Sequence, residues 1–167
     1  MTELVGYVTS EGGPILVGEV DVIRSWRGVD SNDYDRACER FDQDEAAEAI
    51  FLEVVGRPAL LWEIGGAGAA YVFRRGNDTL VLVRPWLEDP DDEGMVKVLA
   101  DRPWREGQET GELTVRENAL IVLWAAENGD CVEPEDTEAD GRPSGEMSVD
   151  SAGLIVRVTP GRYGCRT

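Results

Sequence analysis

Ala49-Ile50-Phe51-Leu52-Glu53-Val54-Val55-Gly56-Arg57-Pro58-Ala59-Leu60-Leu61-Trp62-Glu63-Ile64 holds two apolar, partly β-branched runs. The first spans Ala49 to Val55 and the second Ala59 to Ile64. Gly56-Arg57-Pro58 lies between them and suits the connection of a β-hairpin. Two such runs predict adjacent antiparallel strands, and their apolar character predicts that this pair forms the centre of a sheet.

Working outward, the same pattern recurs on both sides. Leu4 to Thr9 reads as a strand, and Ser10-Glu11-Gly12-Gly13-Pro14 breaks it before the apolar run Ile15-Leu16-Val17, so a compact hairpin-like opening is expected. Val20, Ile23 and Trp26 recur three apart, as on one face of a short helix that Gly28 ends. The polar stretch from Asp30 to Glu48 predicts a long loop, or a loop with a helical turn near Tyr34 to Arg40. After the central pair come Gly65-Gly66-Ala67-Gly68 and then two strand-like segments, Tyr71 to Phe73 and Thr79 to Val83, on either side of the turn signal Gly76-Asn77-Asp78.

Further on, Pro90-Asp91-Asp92-Glu93 places proline and acids where a helix amino terminus favours them. Met95, Val96, Val98 and Leu99 supply its apolar side, and the helix is predicted to run to about Asp101. Leu113 to Val115, Ala119 to Ala125, Glu146 to Val149 and Leu154 to Val158 read as additional strands. Residues 128–145 are charged and contain Pro134, which predicts a mobile acidic loop. Strands that follow one another as neighbours disfavour a doubly wound parallel sheet. The expectation is therefore a mainly β (α+β) single domain over residues 1–167, of antiparallel sheet or sheets, with one short helix near residues 90–101.

Composition limits what such a domain does. The chain has 167 residues, 16 basic and 34 acidic, for a formal net charge of −18, and it has no histidine. Histidine is the usual base near neutral pH and the commonest transition-metal ligand, so its absence argues against Ser-His or Cys-His nucleophiles and against most metalloenzymes. The negative charge disfavours nucleic acid and anionic membrane as partners and favours a basic protein. It is also explained by solubility or adaptation to high salt, since Lys97 is the one lysine beside fifteen arginines. No apolar run approaches the length of a membrane helix, and Glu3 stands where a secretory signal would carry positive charge, so a cytoplasmic location is expected.

Several clusters invite a chemical reading and fall short of one. Gly65 to Gly68 lacks the Gly-Lys-Ser or Gly-Lys-Thr of a phosphate loop and precedes a strand, which makes it a turn. Asp33 with Asp35, and the run from Asp89 to Glu93, match no calcium-loop spacing. Cys38, Cys131 and Cys165 are odd in number and far apart, unlike a disulfide framework or a zinc knuckle. Neither a metal nor a cofactor is expected. Trp62 and Trp124 lie in apolar strands and predict core packing, whereas Trp26, Trp86 and Trp104 sit at element ends, where a tryptophan serves as an interface anchor.

Three blocks, Ser10-Glu11-Gly12-Gly13-Pro14-Ile15-Leu16-Val17, Trp26-Arg27-Gly28 and Asp33-Tyr34-Asp35-Arg36-Ala37-Cys38-Glu39, resemble the immunity protein 21 family of bacterial polymorphic toxin systems. Weaker marks follow in order: Val83-Arg84 before Trp86, Trp104, Trp124-Ala125-Ala126, and Pro160-Gly161-Arg162-Tyr163. The segment after Glu39 departs from the family, being charged where the family turns apolar. The resemblance implies a mostly β protein that binds and neutralises a cognate toxin, some of these toxins being nucleases, and it implies no catalytic residue.

Joined to the charge, the resemblance predicts a non-enzymatic inhibitor that covers a basic toxin surface through Trp26, Asp33, Tyr34, Asp35 and Glu39, with the later acids Asp89, Asp91, Asp92, Glu133, Glu135 and Asp136. Two readings compete with it. One is a structural or assembly subunit whose acidity keeps it soluble. The other is an enzyme that works with carboxylates alone, which requires an acid of raised pKa between apolar walls.

Overall fold

Ile15 and Leu16 point to opposite sides of one strand, β2 (Ile15–Glu19), and both are completely buried, so this strand has protein on each face. The computed structural model describes residues 2–44, 47–63, 65–85, 93–101, 109–133 and 152–167. Among these, the other strands are β1 (Thr2–Ser10), β3 (Ala49–Val54), β4 (Arg57–Trp62), β5 (Gly68–Arg75), β6 (Thr79–Val83), β7 (Glu109–Val115), β8 (Ala119–Trp124), β9 (Gly153–Arg157) and β10 (Gly161–Arg166). The helices are α1 (Val20–Ile23), α2 (Asp33–Asp42) and α3 (Glu93–Asp101), with 3-10 turns at Gly28–Asp30 and Gly129–Cys131.

All strand pairs are antiparallel. They form a five-stranded sheet in the order β3-β4-β2-β8-β9, a three-stranded sheet β1-β5-β6 and a two-stranded ribbon β10-β7. The alternation of each strand assigns side chains to layers. Leu16, Ile50, Ala59, Leu61, Ile121, Leu123 and Ile155 face α1 and α2, meeting Val22, Ile23, Trp26, Ala37 and Phe41. Ile15, Val17, Leu120, Val122, Leu154 and Val156 face the other way, onto Val5, Val8, Ala70 and Val72 of the three-stranded sheet and Leu113 and Val115 of the ribbon. Tyr71, Phe73 and Val81 form a third, smaller core with Ala100 of α3. The molecule is thus layered helix, sheet, sheet, helix. No described helix is long and apolar enough to cross a membrane.

The antiparallel, mainly β expectation holds, with three corrections of topology. Ala49 to Trp62 does form a hairpin, but it lies at the margin of its sheet because β2 inserts between β4 and β8 and takes the centre. Its turn is shorter than expected: Val55 (φ 46°) and Gly56 (φ 74°) alone make the connection, and Arg57 and Pro58 enter β4. Pro58 is tolerated there because the β2–β4 ladder stops at Val17 opposite Leu60, so no partner awaits the missing N–H. The opening segments do not pair with each other. Gly12 (φ 134°) and Gly13 (φ 82°) carry the chain from one sheet to the other, and β1 pairs with β5 instead.

Helix content is also larger than expected. Asp33 to Asp42 is a ten-residue helix rather than a turn within a loop, with Ala37 and Phe41 buried four apart on its inner face and Asp33 and Asp35 in its first turn. The described part of α3 begins at Glu93. Its Val98 is 61% exposed and so is not on the inner side, where Ala100 lies instead. Strand β10 is an addition, paired with β7 through Tyr163 opposite Leu113. The expected strand at Glu146 to Val149 lies outside the described residues, as does most of the expected acidic loop.

Candidate protein-binding interface at one end of the sandwich

Strand direction and register divide the charged residues between the two ends of the sandwich. The upper end carries the Ser10–Pro14 connection, the chain from Trp26 into α2, and the exit from β8. Glu11, Asp30, Asp33, Asp35, Glu48, Glu63, Glu127, Asp130 and Glu133 gather there with Arg24, Arg27, Arg36 and Arg84. The lower end carries the Val55–Gly56 turn and the β5–β6 and β7–β8 connections. There Arg57, Arg74, Arg75, Arg116 and Arg157 stand among Glu3, Glu19, Asp21, Glu53, Asp78 and Glu117, so the two signs nearly balance. Among the described residues negative charge is therefore in excess at the upper end.

Two interlocked segments build that end. The Trp26 indole N–H donates to the Ala125 carbonyl at 2.8 Å, Val29 N–H donates to Ala126 O at 3.0 Å, and Gly129 N–H donates to Trp26 O at 2.9 Å. Contact is so close that only glycine fits at two positions. A Cβ on Gly28 (φ 53°) would stand 2.2 Å from the Ala126 carbonyl oxygen, and one on Gly129 would stand 1.8 Å from that of Ile23.

Arg27 organises the acids displayed on this base. Its guanidinium pairs with Asp130 and donates to Asn128 Oδ1 at 3.1 Å, and its backbone N–H donates to Asp33 Oδ2 at 3.0 Å. Asn128 donates in turn to Asp30 Oδ2 at 3.2 Å and accepts from Asp130 N–H at 3.0 Å. The hydrogen bond it donates to Asp130, then the charge of Asp130, hold the Arg27 pKa above its ordinary value. Arg36 lies 3.5 Å from the other Asp33 oxygen. Asp33 is thus engaged within the fold, while Asp35 and Glu39 point to solvent one helical turn apart.

Tyr34 is half-buried beneath the glycine turn, where a Cβ on Gly13 would meet its hydroxyl at 2.2 Å. Burial first, then the charge and hydrogen bond of Cys38, raise the Tyr34 pKa. Burial likewise raises that of Cys38, with Glu63 adding to both. A thiol and a phenol held in their neutral forms are poor nucleophiles at neutral pH. Arg84, whose pKa is lowered by desolvation and supported by Glu63, donates to the Ala67 carbonyl at the Gly65–Gly68 connection. That glycine cluster is a turn into β5, with Gly65 N–H donating to Glu63 at 2.7 Å.

The expected contact residues separate accordingly. Asp33, Tyr34, Asp35 and Glu39 share α2, and Glu133 follows the Gly129–Cys131 turn at the same end. Trp26 is corrected: it is completely buried in the core between α1 and β8, because its ring fills the space over Ala125 and its N–H is satisfied inside. It anchors the fold and not a partner. Trp62 and Trp124 are only partly buried, the Trp124 N–H reaching Gly12 O at 2.6 Å. Asp89, Asp91, Asp92, Glu135 and Asp136, with Trp86 and Trp104, lie outside the described residues. Asp130 and Asn128 escaped the sequence reading of contact residues. Their one signal was the Asn-Gly-Asp turn at 128–130, which reads as a loop and says nothing of Arg27.

Among the described residues no group of carboxylates and thiols is arranged to hold a metal ion. No protein-family model, curated protein or solved structure matches this chain.

Proposed function

We propose that this chain is an immunity-type protein that binds a cognate bacterial toxin, a nuclease in the first instance, and neutralises it by covering a basic surface. The observation that carries the reading is the excess of negative charge at the upper end among the described residues. A substrate channel for nucleic acid is lined with lysine and arginine, and an inhibitor that crowds exposed carboxylates on one rigid end presents a complementary field and blocks the phosphate positions. The interlocked segments at Trp26 to Val29 and Ala125 to Gly129 support it further, since a surface held in one conformation loses little entropy on docking. The resemblance of the first 40 residues points to the same activity.

Coexpression with the toxin domain encoded beside this chain should restore growth, and purified proteins should form a complex whose affinity falls as salt rises. Neutralising Asp35, Glu39, Glu127 and Asp130 together (Asp→Asn, Glu→Gln) should slow association and flatten the salt dependence, whereas Asp78→Asn and Glu117→Gln at the lower end should change neither. Unchanged affinity and salt slope in the upper-end variant would reject the electrostatic mechanism, and continued killing despite good expression would reject the neutralising activity.

A further inference from the structure

β3 is an outermost strand of the five-stranded sheet, and its free side is regular. The two-residue turn makes Val54 and Arg57 a hydrogen-bonded pair, and alternation then makes Glu53 opposite Pro58, and Phe51 opposite Leu60, non-hydrogen-bonded pairs. The N–H and C=O groups of Phe51 and Glu53 therefore point away from β4, and among the described residues no backbone hydrogen bond reaches them. β3 contains neither glycine nor proline, its ladder has no register shift, and it carries no lysine. Those are the usual devices that blunt an edge. By contrast, the edge strand β10 has two glycines and a register shift beside Arg166.

Chemistry around the edge favours one kind of occupant. Glu48 and Glu53 are exposed along it, Phe51 and Leu52 are half-exposed on its two faces, and α2 above presents Glu39 and Asp42 to solvent. A second copy of this chain would bring another net charge of −18 to the same place. We propose that the β3 edge accepts an extended, arginine- or lysine-bearing strand of the toxin by β-augmentation: main-chain hydrogen bonds to Phe51 and Glu53 align it, and the carboxylates select its charge. The identity of the partner rests on the toxin-binding reading; the pairing of an edge with a basic strand does not.

The test separates the two. A synthetic peptide of about eight residues alternating arginine and valine is long enough to span the edge. It should slow amide exchange at Phe51 and Glu53 about tenfold or more at saturation, and the same peptide N-methylated on alternate residues should lose that protection. Equal binding of the methylated peptide, protection confined to another strand, or formation of a dimer of this chain in place of a peptide complex overturns the proposal.

Glu53→Pro removes an outward N–H without touching the β3–β4 ladder, and Glu53→Gln keeps that N–H while removing the charge. With a toxin that the chain neutralises, Glu53→Pro should weaken binding about tenfold beyond Glu53→Gln. Equal affinities reject the edge and leave neutralisation standing. If no toxin is neutralised, the peptide result still decides the edge.

Discussion

The buried carboxylate of Glu19, at the end of β2, pairs with the guanidinium of Arg57 at the start of β4, where the ladder between those strands has already ended. Glu19 is 2% exposed and also accepts from the backbone N–H groups of Arg116 and Glu117, so one side chain ties the central strand to β4 and to the β7–β8 turn. Arg57 reaches onward to Asp21, which is half-exposed. Removing Arg57 leaves a buried charge without its cation, and Arg57→Ala is expected to cost about 3 kcal/mol or more. Asp21→Ala, at an exposed pair, is expected to cost under about 1 kcal/mol. Urea unfolding of the two variants checks the order, and equal losses would contradict it.

Trp26 fills the core between α1 and the exit of β8. Trp26→Phe keeps most of the apolar volume but leaves the Ala125 carbonyl unsatisfied, with an expected loss of about 1–3 kcal/mol. Trp26→Ala opens a cavity as well and is expected to cost about 3–5 kcal/mol. If Trp26 were instead a contact residue, Trp26→Phe would lower toxin affinity and leave the unfolding midpoint unchanged. Chemical denaturation beside calorimetric binding separates the two.

Val55 holds a left-handed backbone (φ 46°) at the tip of the β3–β4 hairpin with 70% of its surface exposed. A β-branched residue is strained there, while asparagine adopts the conformation readily and precedes glycine in the most favourable two-residue turn. Val55→Asn should therefore raise stability by roughly 1 kcal/mol. Gly129→Ala should do the reverse, because its Cβ would meet the backbone of Ile23. A thermal melt of each variant shows both signs.

The three cysteines are free thiols in different surroundings. Cys131 is exposed, while burial raises the pKa of Cys38 and of Cys165. Iodoacetamide at mildly alkaline pH should label Cys131 first, as mass spectrometry of a time course would show. Raised folded-state values mean that the folded protein holds these protons more tightly than the unfolded chain. Their contribution is thus fully present below the ordinary thiol value and is lost as pH rises through the raised one. Replacing Cys165 by alanine should flatten the alkaline end of the stability profile, and an unchanged slope would show that another group governs it.

Local signals carried much of this fold. The turn Gly76-Asn77-Asp78 between apolar runs located the β5–β6 hairpin, and the β-branched apolar run in Leu154 to Val158 located β9. Pairing over long distances was not legible: nothing in Ile15-Leu16-Val17 says that this run sits between β4 and β8, because an apolar run reads alike at the centre and at the margin of a sheet. Helix α2 was obscured by its charge, as Ala37 and Phe41 are its only fully buried residues. The acids of α2 could be proposed from composition and the resemblance. The pairing of Arg27 with Asp130 could not, since it depends on two glycines bringing distant segments into contact.

The central position of β2 also bears on synthesis. Its neighbours are β4 and β8, and β8 ends at Trp124, more than a hundred residues after β2 begins. While the ribosome is still extending the chain, β2 and β4 already exist, but Ile15 and Leu16 lack the strand that completes their surroundings. The nascent chain holds apolar strands with open edges until β8 emerges, so the chain should fold late and as one unit.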